Sequence, residues 1–240
     1  TSSGKWQWTI WDMDRAFTNS SWNGFTFLND TTGLDAPNAF AFQLLKNDQF
    51  KIDYINRISD FFNTLFKPEN LISTIDSLEN ILEEDIVFET DRWSRNVTAW
   101  RNNIGYLRSF AVNRPGIVRQ QMINYFSLDS SSEVIINANE GGIVKLNSIL
   151  ISDFPFEGTY FKDIPIAIEA IPIPGYVFDH WVSDYDLGTN SSLVDIQSDT
   201  LNISAIFSPV SINNNFEVIA PRMNENDDFH PLVFKYFDGI

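Results

Sequence analysis

The chain has 240 residues, 43% of them hydrophobic and 15% aromatic, so it is long enough to bury one large core or two ordinary ones. Asp and Glu number 32 against 16 Lys and Arg, and the net charge of −16 excludes a broad electrostatic surface for nucleic acid or anionic lipid. Cysteine is absent, which excludes disulfides, thiolate nucleophiles and Cys-ligated zinc but leaves the compartment open. No apolar run approaches the roughly 18 residues of a membrane span.

The first predicted element is an apolar strand that ends in two acids. Residues 6–11 contain three tryptophans and lead directly into Asp12 and Asp14. Alternate side chains of an extended segment point the same way, so the two carboxylates can converge on one hard cation such as Mg²⁺. From the pattern alone a structural alternative stays open, in which Asp12 caps a turn, Asp14 pairs with Arg15, and the tryptophans belong to a core. Because the chain enters this strand almost at once after Thr1, we expect a fragment of a longer protein.

Between residues 38 and 125 the apolar residues recur with a helical period, which predicts several packed helices. The recurring apolar positions form three groups: Tyr54, Ile58, Phe61, Phe62 and Leu65; Leu71, Ile75, Leu78 and Leu82; and Trp93, Val97, Trp100, Ile104 and Leu107. Pro68 stands where the first turn of a helix tolerates proline, so a helix is predicted to begin there. The sequence Asn-Arg-Pro-Gly at 113–116 predicts a break before a final helix that begins near Ile117.

The second half of the chain has the texture of an all-β domain. After the Ser-rich stretch 127–132, apolar residues come in short runs separated by Gly, Pro, Asn and Asp. The stretch is predicted to be a linker, and its shortness indicates that the two domains touch rather than swing freely. The predicted fold class is therefore α+β, with a helical domain at 1–127, a small sandwich-like β domain at 133–209, and a tail or the start of a further module at 210–240.

The β domain contains a cluster of aromatic residues after a glycine. Gly175 is predicted to form a tight turn, and Tyr176, Phe178 and Trp181 are predicted to fill the core, because alternation places Tyr176 and Phe178 on one inward face. An exposed aromatic platform for carbohydrate is the alternative.

The remaining polar candidates are typical of structural or solvated residues. His180 and His230 stand far apart without partners in the sequence, which indicates surface or packing histidines. The acid runs 83–85 and 224–228 are typical of solvated faces. Calcium is the alternative for the second run, because clustered oxygen ligands suit that ion.

The segment Trp11-Asp12-Met13-Asp14-Arg15-Ala16-Phe17, preceded by Gly4-Lys5-Trp6, resembles the W-D-x-D-x-x-F signature of the CotH family of atypical secreted or spore-coat protein kinases. Further matches follow in the family's order at residues 44–51, 54–57, 66–69, 91–93 together with Arg114, and 118–121. The resemblance covers about residues 5–125, and it implies that the helical domain is a fragment of a kinase-like C-lobe. The β domain in turn resembles small modules of bacterial surface proteins that often follow CotH domains.

The resemblance implies roles for four residues of the opening segment. Asp12 and Asp14 would bind magnesium and phosphate, Trp11 would line the adenine side of an ATP site, and Arg15 would contact phosphate unless it pairs with Asp14. The family's catalytic Asp and its accompanying Asn lie upstream of the motif, as does the nucleotide-binding lobe. This chain therefore supplies no catalytic residue of its own, and we expect it to be inactive alone.

Two functions follow for the intact protein. The resemblance implies an exported bacterial kinase, secreted or at the cell surface, that uses ATP and Mg²⁺ to phosphorylate Ser or Thr of a protein substrate. The alternative is a non-catalytic surface, adhesion or carbohydrate-associated module that keeps the kinase-like lobe as a scaffold and binds protein or a surface glycan, since fold and function are separable. Neither reading predicts a nucleic-acid partner or a membrane span.

Overall fold

A computed structural model describes residues 16–28 and 37–210, in which helices come first and strands second. The helices are α1 (Phe25–Leu28), α2 (Pro37–Leu44), α3 (Asp48–Asn63), α4 (Pro68–Leu82), α5 (Ile86–Arg92) and α6 (Val97–Phe126). The strands are β1 (Ser131–Ala138), β2 (Gly142–Leu146), β3 (Ile149–Ile151), β4 (Phe156–Phe161), β5 (Ile166–Pro172), β6 (Tyr176–Ser183), β7 (Ser191–Val194) and β8 (Thr200–Pro209). The predicted α+β class is confirmed. None of the described helices combines the length and apolarity needed to cross a membrane.

Local sequence signals explain where the long helices begin. The Asn47 side chain accepts a hydrogen bond from the Phe50 N–H at 2.9 Å and caps α3, and Asn96 caps α6 by accepting from the N–H groups of Thr98 and Ala99. Helix α4 begins at Pro68, as predicted. Trp93, grouped with α6 by its periodicity, instead follows the end of α5 and is 60% exposed.

The predicted helix break at 113–116 is wrong, because α6 continues through Pro115 to Phe126. A proline inside a helix removes one backbone hydrogen bond. Here that loss is offset by packing: Pro115 is buried, and one and two turns later Val118 and Met122 enter a buried cluster with Ile55 of α3. Tertiary contacts on this face therefore override the local signal.

The strands form two four-stranded sheets, with orders β4-β1-β8-β6 and β3-β2-β5-β7. Strands β1 and β8 are parallel, and the other neighbouring pairs are antiparallel. Buried residues of both sheets belong to one apolar core, among them Val134, Ile136, Val144, Leu146, Ile166, Ile168, Leu201 and Ile203. The two sheets thus share a core, in the manner of a sandwich. The predicted linker near residue 130 corresponds to a short connection, since α6 ends at Phe126 and β1 begins at Ser131.

The aromatic residues of β6 pack against this core, as predicted. Gly175 has a φ of +91° and forms the turn before the strand. The Phe178 ring lies 5.2 Å from the Trp181 ring and 6.1 Å from the Phe207 ring, and an irregularity in register after Phe178 keeps Trp181 on the same side. Trp181 is partly rather than fully buried, and its Nε1–H donates to the Thr189 carbonyl at 2.7 Å.

Helix α3 contacts the β domain through a buried carboxylate. Asp60 is 1% exposed, and its Oδ1 accepts from the Tyr160 hydroxyl at 2.8 Å and from Asn147 Nδ2 at 3.3 Å. Its Oδ2 accepts from both the backbone N–H (3.0 Å) and the hydroxyl of Ser148. Burial first, and the Asp60 carboxylate second, raise the pKa of Tyr160 well above its usual value. All four donors to this carboxylate come from the β domain.

Two asparagines extend the same contact along α3. Asn63 donates to the Thr159 carbonyl and accepts from the Thr159 N–H, both at 2.9 Å, and it also accepts from Arg119 of α6 at 3.0 Å. Asn56 donates to the Pro165 carbonyl at 2.8 Å. A polar stripe of α3 therefore hydrogen-bonds to the β domain.

Candidate functional site

The sequence-predicted site residues Trp11, Asp12, Asp14 and Arg15 lie outside the described residues. Ala16 follows Arg15 directly and is the first residue that the structure describes. Near the motif, the structure therefore describes the segment that follows it, residues 16–22, and helix α6, which contacts this segment.

Helix α6 contacts residues 17–22 along one stripe of its surface. The stripe consists of Tyr106, Phe110, Arg114 and Gln121, whose spacings of four, four and seven residues place them on one helix face. The Tyr106 hydroxyl donates to the Thr18 carbonyl at 2.5 Å, and the Phe110 ring meets the Phe17 ring edge-to-face at 5.1 Å. Gln121 Nε2 donates to the Ser21 carbonyl at 3.0 Å.

Arg114 makes the central contact of this stripe. One terminal nitrogen of its guanidinium donates to the carbonyls of Ser20 at 2.7 Å and Trp22 at 2.6 Å. The guanidinium also lies over the Phe110 ring, 5.9 Å from its centroid. Burial lowers the pKa of Arg114. The side chain thus ties two nearby carbonyls of the segment to the middle of α6.

The segment itself adopts a defined local conformation. Phe17 has a φ of +61°, a left-handed conformation that a non-glycine residue keeps only when its surroundings determine it. The Asn19 side chain accepts from the Ser21 N–H at 2.9 Å, and the Asn19 carbonyl accepts from the Trp22 N–H at 3.2 Å. The chain therefore turns at Asn19, with its carbonyls presented to α6.

A cavity of about 550 Å³ lies elsewhere, between α3 and the β domain, and a second of about 480 Å³ lies beside the segment. The second is bounded by residues 16–19, Trp22, Phe110 and Arg114, none of which is acidic. The lining of this cavity thus offers the Arg114 guanidinium and backbone groups but no carboxylate. The first cavity is lined on the α3 side by Phe50 and Tyr54, and on the β side by Leu193, which is 75% exposed.

Asp12 and Asp14 are the metal ligands predicted from the sequence, and both lie outside the described residues. In residues 16–28 and 37–210, no group of three or more His, Asp or Glu side chains is arranged to hold a metal ion. The carboxylates of Asp12 and Asp14 are hard oxygen donors of the kind that Mg²⁺ prefers, so the chemistry of this donor pair fits the ion.

The other polar candidates lie where the sequence indicated, as far as the structure describes them. His180 is exposed, with its Nδ1 3.5 Å from Asp179 Oδ2. Residues 83–85 are exposed, and Glu83 pairs with Arg101 at 3.0 Å. His230 and the acid run 224–228 lie outside the described residues.

Sequence reasoning missed both sets of contacts that fix the helical region. Tyr106, Phe110 and Arg114 recur at a spacing of four residues, but this spacing alone does not indicate contact with residues 17–22. Asn56, Asp60 and Asn63 also recur at helical spacing, a signal that reads equally well as a solvated face. Only the position of the β domain shows that these three residues form a contact face rather than a solvated one.

Comparison with known proteins bears on the helical region. Residues 1–118 match the family model described as CotH kinase protein. Comparison with curated proteins and with solved structures gave no significant match, and the β domain is not identified by family. The resemblance inferred from residues 5–125 is therefore confirmed at the level of the family. Residues 1–118, from the opening tryptophan-rich segment into α6, are a CotH kinase family domain.

Proposed function

We propose that the intact protein transfers a phosphoryl group from ATP to a Ser or Thr hydroxyl of a protein substrate, with Asp12 and Asp14 as its magnesium ligands. The observation that carries the proposal is the CotH kinase match over residues 1–118, which includes the Trp-Asp-x-Asp motif. The oxygen donors of the motif support it, because they suit Mg²⁺. Export to the cell surface or the medium belongs to the same proposal.

The residues of this chain act by binding and positioning. Asp12 and Asp14 hold the cation, which when bound neutralises phosphate charge during phosphoryl transfer. Arg15 contacts phosphate, and Trp11 lines the adenine side of the nucleotide. The contacts of α6 with residues 17–22 restrict the chain that follows these groups. Catalysis by positioning requires such restriction.

The test is phosphate incorporation by the intact protein and by its Asp12→Ala and Asp14→Ala variants, after circular dichroism shows that each variant folds. We expect both variants to lose activity, because each lacks one metal ligand. The 240-residue chain alone is expected to bind Mg²⁺ with millimolar or weaker affinity, because one or two carboxylates hold this ion poorly. Full activity in either variant, or none in the intact wild type, would refute the kinase proposal.

A second candidate is a binding scaffold without catalysis. The cavity of about 550 Å³ between α3 and the β domain favours it, because apolar side chains of both regions line this space. Within the described β domain the exposed large apolar residues are aliphatic, such as Leu150 and Leu193, whereas the aromatic residues of β6 pack against the core. Binding of the intact protein to a protein or surface-glycan partner, without any phosphate incorporation, would favour this candidate.

A further inference from the structure

Strand β7 is an edge of the sheet β3-β2-β5-β7, and β5 is its neighbour there. The Ala170 N–H donates to the Asn190 carbonyl at 2.7 Å, so hydrogen-bonded pairs alternate from this point along β5 and β7. Ala167, the partner of Leu193 in this register, bonds instead to Asn147 on the β2 side, through both its N–H and its carbonyl. The N–H and carbonyl of Leu193 therefore point to the open edge, and within residues 16–28 and 37–210 they have no hydrogen-bond partner.

The cavity of about 550 Å³ between α3 and the β domain reaches this edge. The Leu193 side chain is 75% exposed and lines the cavity together with Phe50 and Tyr54 of α3. Alternation along β7 places Leu193 on the outer face of the sheet, whereas Val194 enters the core. An extended segment beside β7 thus meets unpaired backbone groups and an apolar space at the same place.

We infer that β7 and this cavity form a docking site for an extended, basic peptide segment of another protein. The segment adds to the sheet as a strand beside β7, bonds to the backbone of Leu193, and places an apolar side chain in the cavity. In this mode of recognition the backbone hydrogen bonds supply affinity, and a pocket for alternate side chains supplies specificity. The inference is independent of phosphoryl transfer and assigns the cavity a ligand of stated chemistry.

Charge favours a basic segment over a second copy of the chain. Three exposed carboxylates belong to the site or its surroundings: Asp53 lines the cavity, Asp195 follows β7, and the Asp163 N–H donates to the backbone just beyond β7 at 3.4 Å. Arg57 is the basic residue of the lining, and its guanidinium lies over the Phe61 ring, 4.6 Å from the centroid. Two copies of a chain with a net charge of −16 repel each other, whereas lysine or arginine side chains are attracted.

The test measures binding of a fluorescein-labelled peptide of alternating lysine and valine to the 240-residue chain, by fluorescence anisotropy and without ATP. A peptide of alternating glutamate and valine tests the charge. A fully N-methylated lysine–valine peptide tests backbone pairing, because it keeps the charge and loses every N–H donor. We expect both control peptides to bind at least about tenfold more weakly than the lysine–valine peptide.

Leu193→Lys and the matched control Leu150→Lys separate the site from general attraction between charges. Leu150 is 65% exposed on β3, the opposite edge of the same sheet, and lies outside the lining of the cavity. We expect binding about tenfold weaker in Leu193→Lys, because the apolar contact is lost and a like charge faces the peptide. Leu150→Lys adds the same charge elsewhere and should bind nearly as the wild type does.

Hydrogen exchange of the Leu193 amide is the second readout. In the wild type we expect this exchange to slow about tenfold at saturating lysine–valine peptide, because strand addition gives the N–H a partner. If Leu193→Lys does not fold, this measurement on the wild type decides the question alone.

Equal binding by the wild type and Leu193→Lys, equal binding of the N-methylated peptide, or unchanged exchange of the Leu193 amide would each overturn the inference. A dimer in sedimentation experiments that Leu193→Lys converts to monomers would overturn it in favour of a second copy at β7. Because the binding assay contains no ATP, failure of the kinase proposal leaves these outcomes unchanged.

Discussion

The buried carboxylate of Asp60 offers the sharpest test of how the helical and β regions are joined. Asp60→Ala removes the acceptor for the Tyr160 hydroxyl, for Asn147 Nδ2 and for two groups of Ser148. Tyr160 has no solvent exposure, so its hydroxyl loses its partner without access to water. Ser148 is exposed, so water can replace its partner at lower cost.

These differences set the size of the expected effect. The unpaired Tyr160 hydroxyl costs about 1–3 kcal/mol, and the remaining hydrogen bonds contribute about 0.5–1.5 kcal/mol each. Asp60→Ala also removes the cost of burying the carboxylate charge, which offsets part of this loss in stability. We expect the free energy of unfolding to fall by about 3 kcal/mol, which for a chain of this size lowers Tm by about 6–12 °C.

Urea denaturation followed by circular dichroism and by tryptophan fluorescence measures this change. The control is Asp53→Ala on the same helix, whose exposed carboxylate accepts one hydrogen bond from Gln49 at 2.9 Å. We expect the control to lie within about 0.5 kcal/mol of the wild type. An equally small effect for Asp60→Ala would refute the reasoning that α3 and the β domain are joined through this carboxylate.

Two further predictions concern the β domain. Tyr160→Phe should cost about 1–2 kcal/mol at pH 7 through the lost hydrogen bond to Asp60. The raised folded-state pKa of Tyr160 means that its contribution is complete below about pH 10 and is lost as pH rises further, because the unfolded chain ionises first. Urea titrations from neutral to alkaline pH should therefore show a shallower alkaline loss in Tyr160→Phe; an unchanged slope would contradict this account. Trp181→Ala should destabilise by about 2–4 kcal/mol, since the ring is partly buried, whereas unchanged melting with lost sugar retention would favour a glycan platform.

The sequence by itself determined the order of the structural classes and the family of the helical region. Helical periodicity between residues 38 and 125, and short apolar runs after residue 132, are local properties of the chain, so they survive in the folded molecule. The start of α4 at Pro68 and the turn at Gly175 were predictable for the same reason, because proline and glycine restrict or free their own backbone. The family match likewise depends on the sequence alone.

Only the tertiary structure decided which local signals prevail and which polar residues are buried. Pro115 and Gly116 signal a helix end, yet packing around Val118 and Met122 carries α6 past them. Asp60 reads as a solvated acid until the β domain supplies four donors, and Arg114 reads as one more surface cation until the carbonyls of Ser20 and Trp22 meet it. The physical reason is the same in each case: the contacts join residues far apart in the chain, about 90 or more positions for Asp60 and Arg114, and their energy does not exist until the chain has folded.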